Sequence, residues 1–292
     1  MIMSRRPAAA GGRASAEREP QNLGRPRPGG PGTYDHGVTN QAKTVFVTGA
    51  SAGFGEAIVR RFAAEGARVV AAARRSDRID ALAKELGPSV LPLVLDVQDR
   101  AAVAAAVSAL PPEFAEIDVL VNNAGLARGL QPAQEADLDD WDQMIDTNCK
   151  GVTYCTRAIL PGMVDRGRGH VINLGSIAGT YPYPGANVYG ATKAFVHQFS
   201  LNLRSDLHGT GVRVTCVEPG LSGGTEFSVV RFGGDRDRAG AVYEGVHPLE
   251  AGDVAEAVHW ASSLPPHVNI NVIEMMPVAQ SFAPLAVARD GA

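Results

Sequence analysis

Seven short apolar runs, each followed by a helix-length segment, set the first constraint on this chain. Lys43-Thr-Val-Phe-Val-Thr48, Arg68 to Ala73, Val90 to Leu95, Ile117 to Val121, His170 to Leu174, Val212 to Val217 and Val268 to Met275 are rich in β-branched residues and read as strands. Between them, Phe54 to Glu65 places Ile58, Val59 and Phe62 on one side of a helix, and a helix through Ile79, Leu82 and Leu86 stops at Gly87-Pro88. Further helices are expected over Arg100 to Leu110, Asp139 to Val164, Val188 to Leu207 and Pro248 to Ser263. Strands that alternate with helices imply a parallel sheet covered on both faces. The fold class expected is α/β, a single doubly wound Rossmann-type domain with a parallel seven-stranded sheet, over residues 43–292.

Residues 1–42 break this pattern. Gly, Pro, Ala and Arg dominate there, and too little apolar surface is present to offset ordering entropy. The expectation is a disordered tail; the alternative is an arm for an anionic partner, because its arginines outnumber its acids. No apolar stretch follows Arg5 and Arg6, so no secretory signal is predicted. Nor does any run reach the roughly 18 to 20 apolar residues that span a bilayer. The formal charge of -4 gives no basic field for a nucleic acid. The three cysteines, Cys149, Cys155 and Cys216, form neither a CxxC pair nor a Cys/His cluster, so no disulfide framework and no zinc site are expected. Cys149 and Cys155 read as inert, buried thiols, and a reducing compartment fits best.

Thr48-Gly-Ala-Ser-Ala-Gly-Phe-Gly55 lies between the first strand and the first helix. A glycine-rich turn in that place lets backbone N–H groups approach a pyrophosphate at the positive end of a helix. Gly49, Ser51, Ala52, Gly53, Phe54 and Gly55 are therefore cofactor-binding candidates. The second strand ends in Ala73-Arg74-Arg75, with no acid to accept from a ribose hydroxyl. Two guanidiniums at a helix start oppose the helix dipole unless an anion joins them, so Arg74 and Arg75 point to a 2′-phosphate and hence NADP(H). The later strands end in Asp96-Val97, in Asn123-Ala124-Gly125 and in Pro219-Gly220, with Thr225 soon after. All lie at the carboxyl edge of the sheet, where such folds bind ligands.

Tyr189 and Lys193 share a helix face one turn apart. A phenol titrates near pH 10, so work near neutrality needs a shift of about three units, roughly 4 kcal/mol. A neighbouring ammonium supplies part of it. Tyr181 and Tyr183 sit beside prolines in a loop, with no cation at helical spacing. His197 extends the Tyr189–Lys193 face and reads as a packing or interface residue.

Together these pieces resemble the short-chain dehydrogenase/reductase family: TGASAGFG at 48–55, NNAG at 122–125, Asn148, Ser176, YGATK at 189–193 and EPG at 218–220. The resemblance implies that Ser176 binds the substrate oxygen and that Tyr189 is the general acid or base. It implies that Lys193 lowers the phenol's pKa and holds the nicotinamide ribose, and that Asn148 anchors a relay water. The segments GRGHVINLGSIAG, GGTEFSVVRF and NINVIEMMPVAQS are similar to those of bacterial NADP-dependent 3-hydroxy acid dehydrogenases, also described as serine or allo-threonine dehydrogenases and malonic semialdehyde reductases. That implies a cytoplasmic homotetramer acting on small 3-hydroxy acids or semialdehydes. A reductase of other carbonyls and a non-catalytic NADP(H) sensor are the alternatives.

A substrate carboxylate needs a cation. Leu221 to Gly245, glycine-rich like a lid, carries Arg231, Arg236 and Arg238, and Arg128 follows the fourth strand. Arg231, between apolar residues, is the first candidate for substrate binding. The segment after Met276 is expected to close the pocket, pack on a neighbouring subunit or fray.

Overall fold

The computed structural model describes residues 43–282; the tail expected over 1–42 lies outside them, as does the chain beyond 282. The elements in order are β1 (Thr44–Thr48), α1 (Gly53–Ala64), β2 (Arg68–Ala73), α2 (Ser76–Leu86), β3 (Val90–Val94), α3 (Arg100–Ser108), α4 (Pro112–Ala115) and β4 (Val119–Asn122). They continue with α5 (Leu138–Ile145), α6 (Val152–Asp165), β5 (Gly169–Leu174), α7 (Asn187–Asp206), β6 (Val212–Pro219), α8 (Phe227–Arg231), α9 (Arg236–Ala241), α10 (Ala251–Ser263) and β7 (Val272–Met275). The strands form one sheet in the order β3-β2-β1-β4-β5-β6-β7. Every pair is parallel. The order reverses between β1 and β4, which opens a crevice beyond the carboxyl ends of the strands.

The sheet is buried on both faces, which is why its strands read as continuous apolar runs. Val45, Val47, Val69 and Val121 pack against Ile58, Val59 and Phe62 of α1 and Val254 and Val258 of α10. Phe46, Val70, Leu120 and Val171 face the other way, against Ile159 and Met163 of α6 and Leu203 of α7.

Four features depart from the periodicity. The helix expected over 139–164 is interrupted: Asp146–Gly151 forms a single π-helical turn between α5 and α6. One extra residue in a helix rotates the side chains that follow, and this one turns the buried Thr147 and Asn148 inward. The last strand begins at Val272, later than Val268, because side chain replaces backbone there: Asn269 Oδ1 accepts from Val214 N at 2.8 Å and Nδ2 donates to Val214 O at 2.9 Å. The last helix begins at Ala251, later than Pro248, because Glu250 and Asp253 form a capping box. Finally, the lid is not wholly irregular; it holds the short helices α8 and α9.

Candidate active site

Thr48, the last residue of β1, joins two of the strand-end turns. Its hydroxyl accepts from Asn123 N at 3.0 Å and from Ala124 N at 2.9 Å. Asn123 Nδ2 returns a bond to Thr48 O at 2.8 Å. Gly49 and Gly53 adopt positive φ, 68° and 56°, the region in which a side chain is strained. Gly55 is needed for space: a Cβ there would collide with the Gly49 carbonyl oxygen and the Asn123 amide.

A cavity of about 790 Å³ opens over these turns. Gly49, Ser51, Ala52, Gly53 and Phe54 wall one end, with Arg74, Arg75, Asp96 and Val97. Asn123, Ala124 and Gly125 form the middle with Ser176, Tyr189 and Lys193, and Pro219, Gly220, Thr225 and Arg231 close the far side. Two candidates stand behind the wall. Gly55 is buried in α1. Asn148 spends its amide on Leu126, accepting from the backbone N and donating to the backbone O, both at 2.9 Å, and donates to Thr192 Oγ1 at 3.0 Å.

Ser176 follows β5, and its hydroxyl donates to Pro219 O at 3.4 Å. Tyr189 lies on α7 and is 7% exposed. Burial pushes its phenol up to about 12, against the pull of a hydrogen bond with Ser176 and of the Arg231 charge. Lys193 is also buried; its Nζ donates to Leu174 O at 2.8 Å and lies 6.0 Å from the Tyr189 ring centre. Burial brings its ammonium down to about 8. The cation that lowers the Tyr189 pKa in this state is thus Arg231, with Lys193 turned toward Leu174.

Arg231 ends α8. Its guanidinium carbon lies 5.4 Å from the Tyr183 ring centre and 5.5 Å from that of Tyr189. Nε donates to Gly129 O at 3.3 Å, and Gly129 N donates back to Arg231 O at 3.0 Å. Nη2 is buried without a hydrogen-bond partner among the described residues. A buried guanidinium N–H left unpaired is costly, so this atom marks where an anionic oxygen fits. Arg128 borders the same cavity, fixed by Gln143 Oε1 at 2.8 Å and Val230 O at 3.3 Å.

The two loop tyrosines separate: Tyr183 lines the cavity, whereas Tyr181 donates to Glu274 Oε1 at 3.2 Å. His197 Nδ1 pairs with the buried Glu218 Oε1 at 2.6 Å. Gln280, in the segment after Met276, borders the cavity and accepts from Leu221 N at 2.7 Å. Sequence reasoning missed Thr48 as a fastener and Glu226 as a neighbour of Arg75. A threonine ending a strand just before a glycine turn was a legible signal for the first; nothing local signalled the second.

Among the described residues no helix is long and apolar enough to cross a membrane. Residues 43–231 match the short chain dehydrogenase family. A relative from Salmonella typhi, named NADP-dependent 3-hydroxy acid dehydrogenase, is 62% identical over 246 residues, covering 84% of this chain and 99% of that one. A serine 3-dehydrogenase from Rhizobium radiobacter is 50% identical over 247 residues, 85% of this chain and 98% of that one. A solved structure described as the closed form of serine dehydrogenase complexed with NADP+ superposes with a TM-score of 0.84 at 59% identity, covering 85% of this chain and 100% of that one.

Proposed function

The chain belongs to the short-chain dehydrogenase family, and from that membership we propose that it is an NADP(H)-dependent oxidoreductase that interconverts small 3-hydroxy acids and their 3-oxo or semialdehyde forms. The observation that carries the substrate class is Arg231 Nη2, an unpaired buried donor on a residue whose guanidinium lies beside the Tyr189 ring. A 3-hydroxy acid presents a carboxylate a short distance from the reacting hydroxyl, and a guanidinium beside the proton-transferring phenol suits that spacing.

The dinucleotide fits the other end. The Gly49–Gly55 turn has no room for side chains at Gly49 and Gly55 and opens a helix, as phosphate recognition requires. Arg74, Arg75 and Ser51 offer donors for a 2′-phosphate, which favours NADP(H) over NAD(H). When bound, the nicotinamide supplies or accepts the hydride.

The protein's share is proton management. Ser176 Oγ holds the substrate oxygen. Tyr189, kept protonated at neutral pH by burial, donates its proton to that oxygen in reduction. In oxidation it takes the proton back, with the Ser176 hydrogen bond and the Arg231 charge favouring the phenolate. Lys193, charged below about pH 8, anchors the cofactor ribose and adds positive potential. Asn148 locks Leu126 and Thr192 in place and so shapes the pocket floor.

The test is NADPH formation from NADP+ with serine, allo-threonine or 3-hydroxypropionate. Turnover of at least one is expected; silence across the panel overturns the substrate assignment. Preference for neutral thioesters or ketones would instead favour a general carbonyl reductase. We further propose a cytoplasmic homotetramer. The exposed Phe195, stacked on Phe199 at 5.9 Å on α7, supports self-association, and light scattering would read the mass.

A further inference from the structure

Glu226 has no part in the chemistry above, yet it is the charged residue that spans the cleft. It precedes α8 in the lid, and its carboxylate reaches the corner between β2 and α2. Oε2 accepts from Arg75 Nη1 at 2.7 Å, and Arg78 Nη2 lies 3.0 Å from Oε1. Arg75 also donates to Ser51 Oγ through Nε at 3.1 Å and Nη2 at 3.0 Å. One carboxylate therefore joins the lid, the glycine turn and the start of α2. The Arg75 hydrogen bond and the Arg75 and Arg78 charges hold it below the usual carboxylate range, so it is ionised at neutral pH.

What hangs from this contact is the substrate end of the site. Phe227, the next residue, packs its ring 5.7 Å from that of Tyr189. Arg231 closes the same short helix. At that end α8 is pinned to the β4 exit loop by the paired bonds between Arg231 and Gly129 and by Arg128 Nη1 to Val230 O. Its other end is held to the cofactor side by Glu226. A helix this short moves as one piece, so the position of its first residue sets the position of its last.

We propose that Glu226 is a latch: its ion pairs with Arg75 and Arg78 hold the lid closed across NADP(H) and couple occupancy of the cofactor's phosphate end to the placement of Arg231. It is a positioning residue, and the inference rests on the reading of the cavity as an NADP(H) site. A carboxylate beside arginines has one competing role, that of a like-charge competitor for the 2′-phosphate. The two roles differ in sign. Removing a competitor tightens cofactor binding, and removing a latch speeds cofactor release. Arg78 separates them further, because it pairs with Glu226 without lining the cavity.

The experiment measures NADPH release from the full chain by stopped-flow fluorescence, using excess NADP+ as the trap, for the wild type, Glu226→Gln, Arg78→Gln and the double variant. Each single variant should release NADPH about threefold to tenfold faster, the range for half-exposed ion pairs. The double variant should be no faster than the faster single, because both remove one contact. Raising salt to about 0.5 M should bring the wild type toward the variants. Slower release from Glu226→Gln would overturn the latch in favour of competition. Unchanged rates would reduce the pair to an idle surface contact, and fully additive acceleration would give the two residues separate roles. Failure of the wild type to bind NADPH would overturn the cofactor reading itself, a result distinct from normal binding with unchanged variants.

Discussion

Arg231→Met removes the charge but keeps an unbranched stem between Tyr183 and Tyr189. Nε is already committed to Gly129 O, so Nη2 is the donor left for a substrate carboxylate. One hydrogen bond to a charged group contributes about 1.5 to 3 kcal/mol, which is roughly a 10- to 150-fold change in kcat/KM. The substitution also withdraws a charge that lowers the Tyr189 pKa, and that effect strikes every substrate alike. The informative quantity is therefore a ratio: kcat/KM for NADP+-dependent oxidation of 3-hydroxypropionate over that of its methyl ester. The ratio should fall by the 10- to 150-fold above. Equal losses on acid and ester would show that Arg231 acts through Tyr189 alone, and an unchanged ratio would refute carboxylate recognition at this residue.

Tyr189→Phe should lose about 10²- to 10⁴-fold in kcat, the usual share of a general acid, while NADPH still binds by fluorescence; an unchanged rate would refute the proton role. Gly55→Ala places a methyl against the Gly49 carbonyl and the Asn123 amide, so it should cost about 1 to 3 kcal/mol of stability and weaken NADPH binding, read by thermal melts and titration; a wild-type melt and affinity would refute the close-approach argument. His170 is 2% exposed, and burial, with Arg213 and Lys43 adding to it, holds its pKa well below the usual 6.5. The unfolded chain then binds more protons below pH 6.5, so His170 should cost stability as the pH falls through and below that value. His170→Gln should flatten the acid side of the stability curve in urea melts between about pH 5 and 7; parallel curves would show that the imidazole stays neutral in both states.

The strand order could be anticipated because each strand and helix carries its own periodicity, and the right-handed crossover rule leaves few ways to connect them. The same locality made the site partly legible. Tyr189 and Lys193 are one turn apart, and the glycines at 49, 53 and 55 lie within one turn of chain. The π-helical turn at Asp146–Gly151 escaped because a single inserted residue scarcely disturbs the apolar pattern of a long helix. The late start of β7 escaped because an asparagine side chain stands in for backbone, which no period records.

What the sequence determined alone was the architecture, the phosphate-binding turn and the identity of the phenol and ammonium, since all follow from hydrogen bonding and steric freedom within a few residues. What only the tertiary structure decided was the partnering of charges. Arg75 meets Glu226 from 151 positions away, Lys193 turns to Leu174 O, and Arg231 arrives beside Tyr189 with one donor unspent. Long side chains such as arginine and glutamate pair with whatever the crossovers and the lid bring within a few ångströms, and that proximity is set by packing of the whole sheet rather than by local spacing.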